Sequence, residues 1–187
     1  MRALSQAGAV LFFVTIATPA WAAHWNVDHS KSHIAFSVNW SGQPLRGEFK
    51  SWKADIDFDA ADVSHARAYV TIDAASATTG DGEIDSALQG ALGLGTSDFP
   101  SARFQTAKIV GKGQNRYEAA GQLTLKAITR SLTLPFTLTF NGDSAHMVGT
   151  THLVRTDFNV GGGEYASEKT VSHDVTVSID LTAAKAR

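Results

Sequence analysis

The sequence predicts an all-β domain, an extended antiparallel barrel of eight strands with one short helix. Three observations carry this. Eight or nine stretches alternate apolar and polar residues with a period of two, leaving one apolar and one wet face, as antiparallel strands do. Their connections are mostly turn-length, and closing so many long strands into a barrel removes exposed edges. Only one stretch, EIDSALQGAL from Glu83, carries apolar residues at helical spacing.

The chain begins like an exported protein. Arg2 supplies a positive start, Ala9 to Ala17 an apolar core, and Ala20-Trp21-Ala22 an A-x-A cleavage site. Residues 1–22 are therefore expected to be a signal peptide and residues 23–187 the mature domain, with a bacterial periplasm as destination. The apolar run falls short of the ~20 residues of a bilayer span, so no membrane span is expected. Removing 22 residues from 187 leaves 165, enough for one domain with a sizeable core. It also takes the basic count from 16 to 15 against 18 acids, a net charge of −3. That balance gives no support to nucleic acid or an anionic membrane as partner. Cysteine is absent, which removes disulfides, thiol chemistry and thiolate metal sites.

In order, Trp25 to Asp28 opens as a short strand and His29 to Ser32 reads as a turn. Ile34, Phe36, Val38 and Trp40 then form one apolar row, ended by Ser41-Gly42-Gln43-Pro44. The next stretch changes phase: Leu45, Gly47 and Phe49 are odd, whereas Trp52, Ala54, Ile56 and Phe58 are even. Such a slip would turn core groups outward unless a bulge absorbs it, and Lys50-Ser51 is the expected place. Ala66 to Ala74 is a strand with Val70 and Ile72 on its apolar face. Ile84, Leu88 and Leu92 mark the helix, with Asp81 as its expected cap and Gly93, Gly95 and Pro100 ending it. Strands follow from Ala102 to Val110, containing Phe104, and from Tyr117 to Leu125, containing Leu123. Ala127 to Arg130 is expected to connect onward.

Leu132, Leu134, Phe136, Leu138 and Phe140 fall on every second position, with Thr133, Thr137, Thr139 and Pro135 between them. This is an apolar wall backed by a threonine face. Pro135 cannot donate to a ladder, so an edge-like or bulged point is expected there. Strands near Ala145 to Thr156 and Thr170 to Leu181 complete the domain. The last shows Val175, Val177 and Ile179 on its apolar face.

Reactive groups do not assemble by spacing. The seven histidines form no metal-ligand pattern, and no nucleophile elbow, phosphate loop or dinucleotide fingerprint is present. Neither catalysis nor a metal is expected. His173 falls in the apolar row of the last strand and reads as a satisfied core or rim histidine, with a pocket-mouth contact as the alternative. Arg155 reads either as the partner of Asp157 or another surface acid, or as a polar anchor at a barrel mouth.

Taken together, the motifs resemble the YceI-like family. They run from Trp25-Asn26-Val27-Asp28-His29-Ser30 and His33 to Val38 through Gly47-Glu48-Phe49 and Ile72 to Ser76. Asp98 to Phe104, Gly121 to Leu125, the Leu132 strand, Arg155-Thr156-Asp157-Phe158 and Val175 to Ile179 complete them. The resemblance implies a lipocalin-like barrel whose apolar tunnel holds an isoprenoid-type lipid, a polyprenyl or quinone tail. It implies no catalysis and no cofactor beyond that lipid, and it allows a homodimer. Three departures from the family pattern stand out: Trp40 in place of a histidine, Lys126-Ala127 in place of a His-Gly pair, and Leu92-Gly93-Leu94-Gly95 in place of an aromatic-rich segment.

The expected lining is Ile34, Phe36, Val38, Trp40, Val70, Ile72, Phe104, Leu123, Leu132, Leu134, Phe136, Leu138, Phe140, Val175, Val177 and Ile179, with Arg155 as headgroup contact. An eight-stranded barrel can either fill with side chains or hold one small ligand. The alternative is thus a structural or stress-response interaction protein with a filled barrel. A hydrolase or isomerase would need a buried cluster among His173, Arg155 and Asp157.

Overall fold

A computed structural model describes residues 22–186; all of the expected leader except Ala22 lies outside the described residues. The strands are β1 (Ala23–Val27), β2 (His33–Trp40), β3 (Gln43–Phe49), β4 (Trp52–Phe58), β5 (Arg67–Asp73) and β6 (Ala77–Thr78). After helix α1 (Gly82–Gln89) come β7 (Ser101–Gly113), β8 (Arg116–Leu125), β9 (Ile128–Asn141), β10 (Ser144–Val154) and β11 (Asp174–Lys185). Six of the shorter segments are halves of longer strands. β1 pairs with β11 at Trp25↔Lys185 and β2 pairs with β11 at Ile34↔Ile179, so β1 and β2 form one strand broken at residues 28–32. At that break the Ser32 hydroxyl accepts from the Thr182 amide at 2.9 Å, standing in for a ladder bond. β3/β4 and β5/β6 continue one another in the same way. Eight antiparallel strands result, and they close where β11 meets β1.

The phase slip is absorbed where expected. Lys50 and Ser51 stand outside β3 and β4, and Phe49 and Trp52 both face the interior. The β9 wall also forms as its pattern requires: Leu134, Phe136 and Leu138 are buried, while Thr133, Pro135, Thr137 and Thr139 are exposed.

Pro135 pairs with Glu118 of β8, but on its other side the β9–β10 ladder ends at Phe136↔Gly149. Past that point the buried Thr151 hydroxyl donates to the Thr133 carbonyl at 2.8 Å. A side chain thus closes the seam that a residue without an N–H leaves open.

Three boundaries differ from expectation. β9 begins at Ile128, so residues 127–130 are not a connector; the turn is Lys126-Ala127 alone, with φ of +48° and +60°. Two successive left-handed residues build the tight hairpin turn that matches strand twist, and neither residue type signals it. Helix α1 stops at Gln89, because Gly90 follows in an extended conformation. β11 starts at Asp174 rather than Thr170 and runs to Lys185. His173 therefore lies in the preceding loop rather than in the apolar row, and Val171 makes only an isolated bridge to Trp40.

The helix is tied down at its start. The Asp81 carboxylate caps it, accepting from the Glu83 and Ile84 amides at 3.0 and 3.1 Å. Asp85 accepts from the Thr78 hydroxyl at 2.6 Å and from the Thr79 amide and hydroxyl at 2.6 and 2.8 Å, mooring α1 to the end of β6.

Candidate ligand-binding site

The inward rows enclose two adjoining cavities. The larger, about 220 Å³, occupies the barrel body and its exposed lining is wholly apolar. The smaller, about 150 Å³ and almost as apolar, lies beneath α1 and the β10–β11 loop. Phe49, Leu94, Leu125, Leu153 and Val177 border both, so the two share a waist. Each reaches the ~150 Å³ at which an apolar cavity accepts a benzene-sized guest. The barrel is hollow.

Every expected lining residue faces one of these cavities. Ile34, Val70, Ile72, Phe104, Leu123, Leu132, Leu134, Phe136, Leu138, Phe140 and Ile179 line the larger. Phe36, Val38, Trp40, Val175 and Arg155 line the smaller, and Val177 lines both. A Cβ at Gly47 would collide with the Phe36 ring, so this glycine makes the ring's position available.

Sequence reasoning left out Trp25, Trp52, Phe58 and Met147 in the larger cavity, and Ile84, Ala87, Leu88 and Leu94 over the smaller. Trp52 and Phe58 already stood on a recognised apolar row, so a signal existed. For the α1 residues the amphipathic spacing was present, but nothing in it states which opening the helix covers. The other barrel end carries an aromatic cluster. Trp25 packs on Phe140 at 5.6 Å, Phe58 on Tyr117 at 5.2 Å, and Tyr117 on Phe136 at 5.4 Å. The Trp25 indole N–H donates to the Phe58 carbonyl at 3.0 Å.

Arg155 has a different task from either one expected of it. It is 4% exposed, and all five guanidinium N–H groups have a backbone acceptor. Nε donates to Ser172 O at 3.0 Å, and Nη1 to Val160 O and Gly161 O at 2.8 and 2.9 Å. Nη2 donates to Tyr165 O and Val171 O at 2.6 and 2.7 Å. Burial lowers its pKa from the ordinary guanidinium value, and nearby Glu168 opposes that shift. No N–H remains for a headgroup, and Asp157 is not its partner. Arg155 instead gathers the β10–β11 loop into a fixed cover over the smaller cavity.

Lys126 does the same from the β8–β9 turn. Its Nζ donates to Ala91 O, Gly93 O and Asn159 O at 3.0, 2.9 and 3.0 Å, using all three ammonium hydrogens. Burial pulls its pKa down. The Leu92 carbonyl accepts from the Gly161 and Gly162 amides at 2.7 and 3.1 Å. Two of the departures, Lys126-Ala127 and Leu92 to Gly95, thus meet: the lysine binds the Gly93 carbonyl of the altered segment and the Ala91 carbonyl just before it.

These two lid segments are acidic. Residues 79–100 carry Asp81, Glu83, Asp85 and Asp98 without a base, and residues 155–173 carry Asp157, Glu164 and Glu168 against Arg155 and Lys169. Tyr165 lines the smaller cavity and packs on Trp40 at 5.6 Å. Its phenol pKa is raised by burial and by the charges of Glu164 and Glu83.

Other titratable groups are engaged elsewhere. The His173 ring pairs with Glu168 at 2.9 Å and reaches the Ala166 carbonyl at 3.0 Å, outside both cavities. His146 pairs with Asp180 at 2.7 Å, and His24 with Asp57, which Arg67 also holds. Inside, the Thr106 and Thr151 hydroxyls both bond backbone. Among the described residues no buried side-chain nitrogen or oxygen lacks a partner.

The comparisons with known proteins agree with this architecture. A UPF0312 protein of Vibrio parahaemolyticus is 25% identical over 144 residues, covering 74% of this chain and 73% of that one. A UPF0312 protein of Pseudomonas syringae pv. tomato is 28% identical over 167 residues, covering 85% and 79%. The crystal structure of Burkholderia cenocepacia BcnA superposes with a TM-score of 0.83 at 31% identity, covering 85% of this chain and all of that one. A polyisoprenoid-binding domain from Saccharophagus degradans shares the fold, with a TM-score of 0.70 at 12% identity, covering 88% and 99%. The YceI-like domain model matches residues 25–183, so the chain belongs to the YceI-like family.

Proposed function

We propose that this protein is a non-catalytic, periplasmic carrier of a long apolar lipid, an isoprenoid chain such as a polyprenyl or quinone tail. The observation that carries the reading is a pair of adjoining apolar cavities in which, among the described residues, no buried side-chain nitrogen or oxygen is left without a partner. Such an interior selects hydrocarbon by shape and area. At ~0.8 kcal/mol per buried CH₂, ten carbons gain about 8 kcal/mol and twenty about 16. Association costs of ~4–15 kcal/mol bracket the first and stay below the second, so added length makes binding favourable. The A-x-A leader supports export, and the polyisoprenoid-binding domain of the same fold supports the lipid class. The absence of catalysis is supported by the groups a reaction would need. Arg155 is saturated by carbonyls, and His173 is turned to Glu168 and Ala166.

Organic extraction and mass spectrometry of natively purified protein should recover an isoprenoid. Delipidated protein should take up a fluorescent polyprenyl or quinone probe. Ala119→Phe, which fills the larger cavity from β8, should abolish uptake while the barrel still folds. Failure of delipidated protein to bind either probe overturns the reading.

A further inference from the structure

Resting on the carrier reading, we propose that the lid end selects neutral isoprenoids, prenols or quinones, over prenyl phosphates and diphosphates, with Glu83 and Glu164 as the specificity-determining charges. A phosphate needs cationic or N–H donors, and proteins usually supply them from Arg, Lys or free amides. Here the two cations that the lid is built around have none to give. Arg155 spends five N–H groups on five carbonyls, and Lys126 spends three on three. Both are fixed by the fold, and freeing either would leave carbonyls of the lid unpaired.

The remaining charges at this end are net negative, seven carboxylates of the two lid segments against Lys169. Glu83 stands on α1, whose Ile84, Ala87 and Leu88 form the wall of the smaller cavity. Glu164 adjoins Tyr165, whose ring forms another part of that wall. Both glutamates are exposed, and neither is in an ion pair among the described residues. Burial first, and then the charges of Glu164 and Glu83 from two different segments, push the Tyr165 phenol up. A headgroup held beneath α1 lies between the two segments that carry these carboxylates. A quinone or hydroxyl tolerates this, whereas a diphosphate is repelled.

The test uses delipidated full-length protein and two probes of one chain length, geranylgeraniol and geranylgeranyl diphosphate, below micelle-forming concentrations. At low salt the diphosphate should bind at least ~10-fold more weakly, as like-charge fields focused at a cleft produce. The gap should narrow between 0.1 and 1 M salt, where the screening length falls from ~10 to ~3 Å. The double variant E83Q/E164Q should narrow it at low salt. Equal or tighter diphosphate binding overturns the selectivity while leaving the carrier reading intact, as does a gap indifferent to both salt and E83Q/E164Q. If neither probe binds, the carrier reading itself falls, and the selectivity with it.

Discussion

A Cβ placed on Gly161 would collide with the Arg155 Nη1 atom. The residue has φ of +79°, in the left-handed region, and its carbonyl is one of the five that receive the guanidinium. The glycine and the arginine are therefore one structural unit. Gly161→Ala should cost about 1–3 kcal/mol through strain and overpacking. Arg155→Met leaves five carbonyls without their donor and should cost about 4 kcal/mol, near the top of the range for single substitutions. Arg155→Lys, with at most three N–H groups, should fall between wild type and Arg155→Met. Urea unfolding midpoints check the order; an Arg155→Met variant within 1 kcal/mol of wild type would remove the cage from the account.

Residues 132–140 could be read as a wall because strand periodicity writes burial directly into sequence: Leu134, Phe136 and Leu138 face in, and the threonines between them face out. The same logic located the Lys50-Ser51 break, since a change of phase is visible without coordinates. Arg155 was legible only in part. Its odd position placed it near the interior, but its partners are carbonyls of residues 160, 161, 165, 171 and 172, and backbone acceptors leave no side-chain signature. Lys126 was hidden for the same reason. Its role depends on a turn of two left-handed residues bringing Nζ under a loop more than thirty positions away. The cavities themselves lay beyond sequence. Large apolar side chains on eight strands fit a packed core as well as a hollow one, and only their rotamers and the barrel's diameter separate the two.

Thr151 should be sensitive to loss of its hydroxyl. It is 6% exposed, faces the apolar cavity, and donates to Thr133 O where the β9–β10 ladder has ended beside Pro135. Thr151→Val keeps the shape and leaves the Thr133 carbonyl without this donor, a loss of about 1–2 kcal/mol. Thr151→Ser retains the donor and should cost less. Hydrogen exchange of the amides around Thr133 and Thr151 separates local opening of the seam from global loss. If Thr151→Val leaves both exchange and unfolding unchanged, the hydroxyl does not hold the seam.

Asp85 gives the lid a dependence on pH. Its carboxylate is held below the ordinary aspartate value, chiefly by the Thr78 hydroxyl and next by the Thr79 amide. A depressed folded-state pKa means that the ionised form is favoured in the fold. The resulting stabilisation is fully present above the unfolded value of about 3.8, and it disappears as pH falls through the lower folded value. Asp85→Asn keeps one acceptor oxygen but loses the charge that strengthens these bonds. At neutral pH the variant should therefore show faster hydrogen exchange across α1, with little change in the barrel strands. The difference from wild type should hold steady down to about pH 4 and shrink below it, as the wild-type carboxyl takes up its proton. Because α1 covers the smaller cavity, probe release should follow the same profile, quickened in Asp85→Asn at neutral pH and converging with wild type in acid. A difference between the two proteins that is constant from pH 7 to pH 2 would show that the charge of Asp85 does not secure the helix.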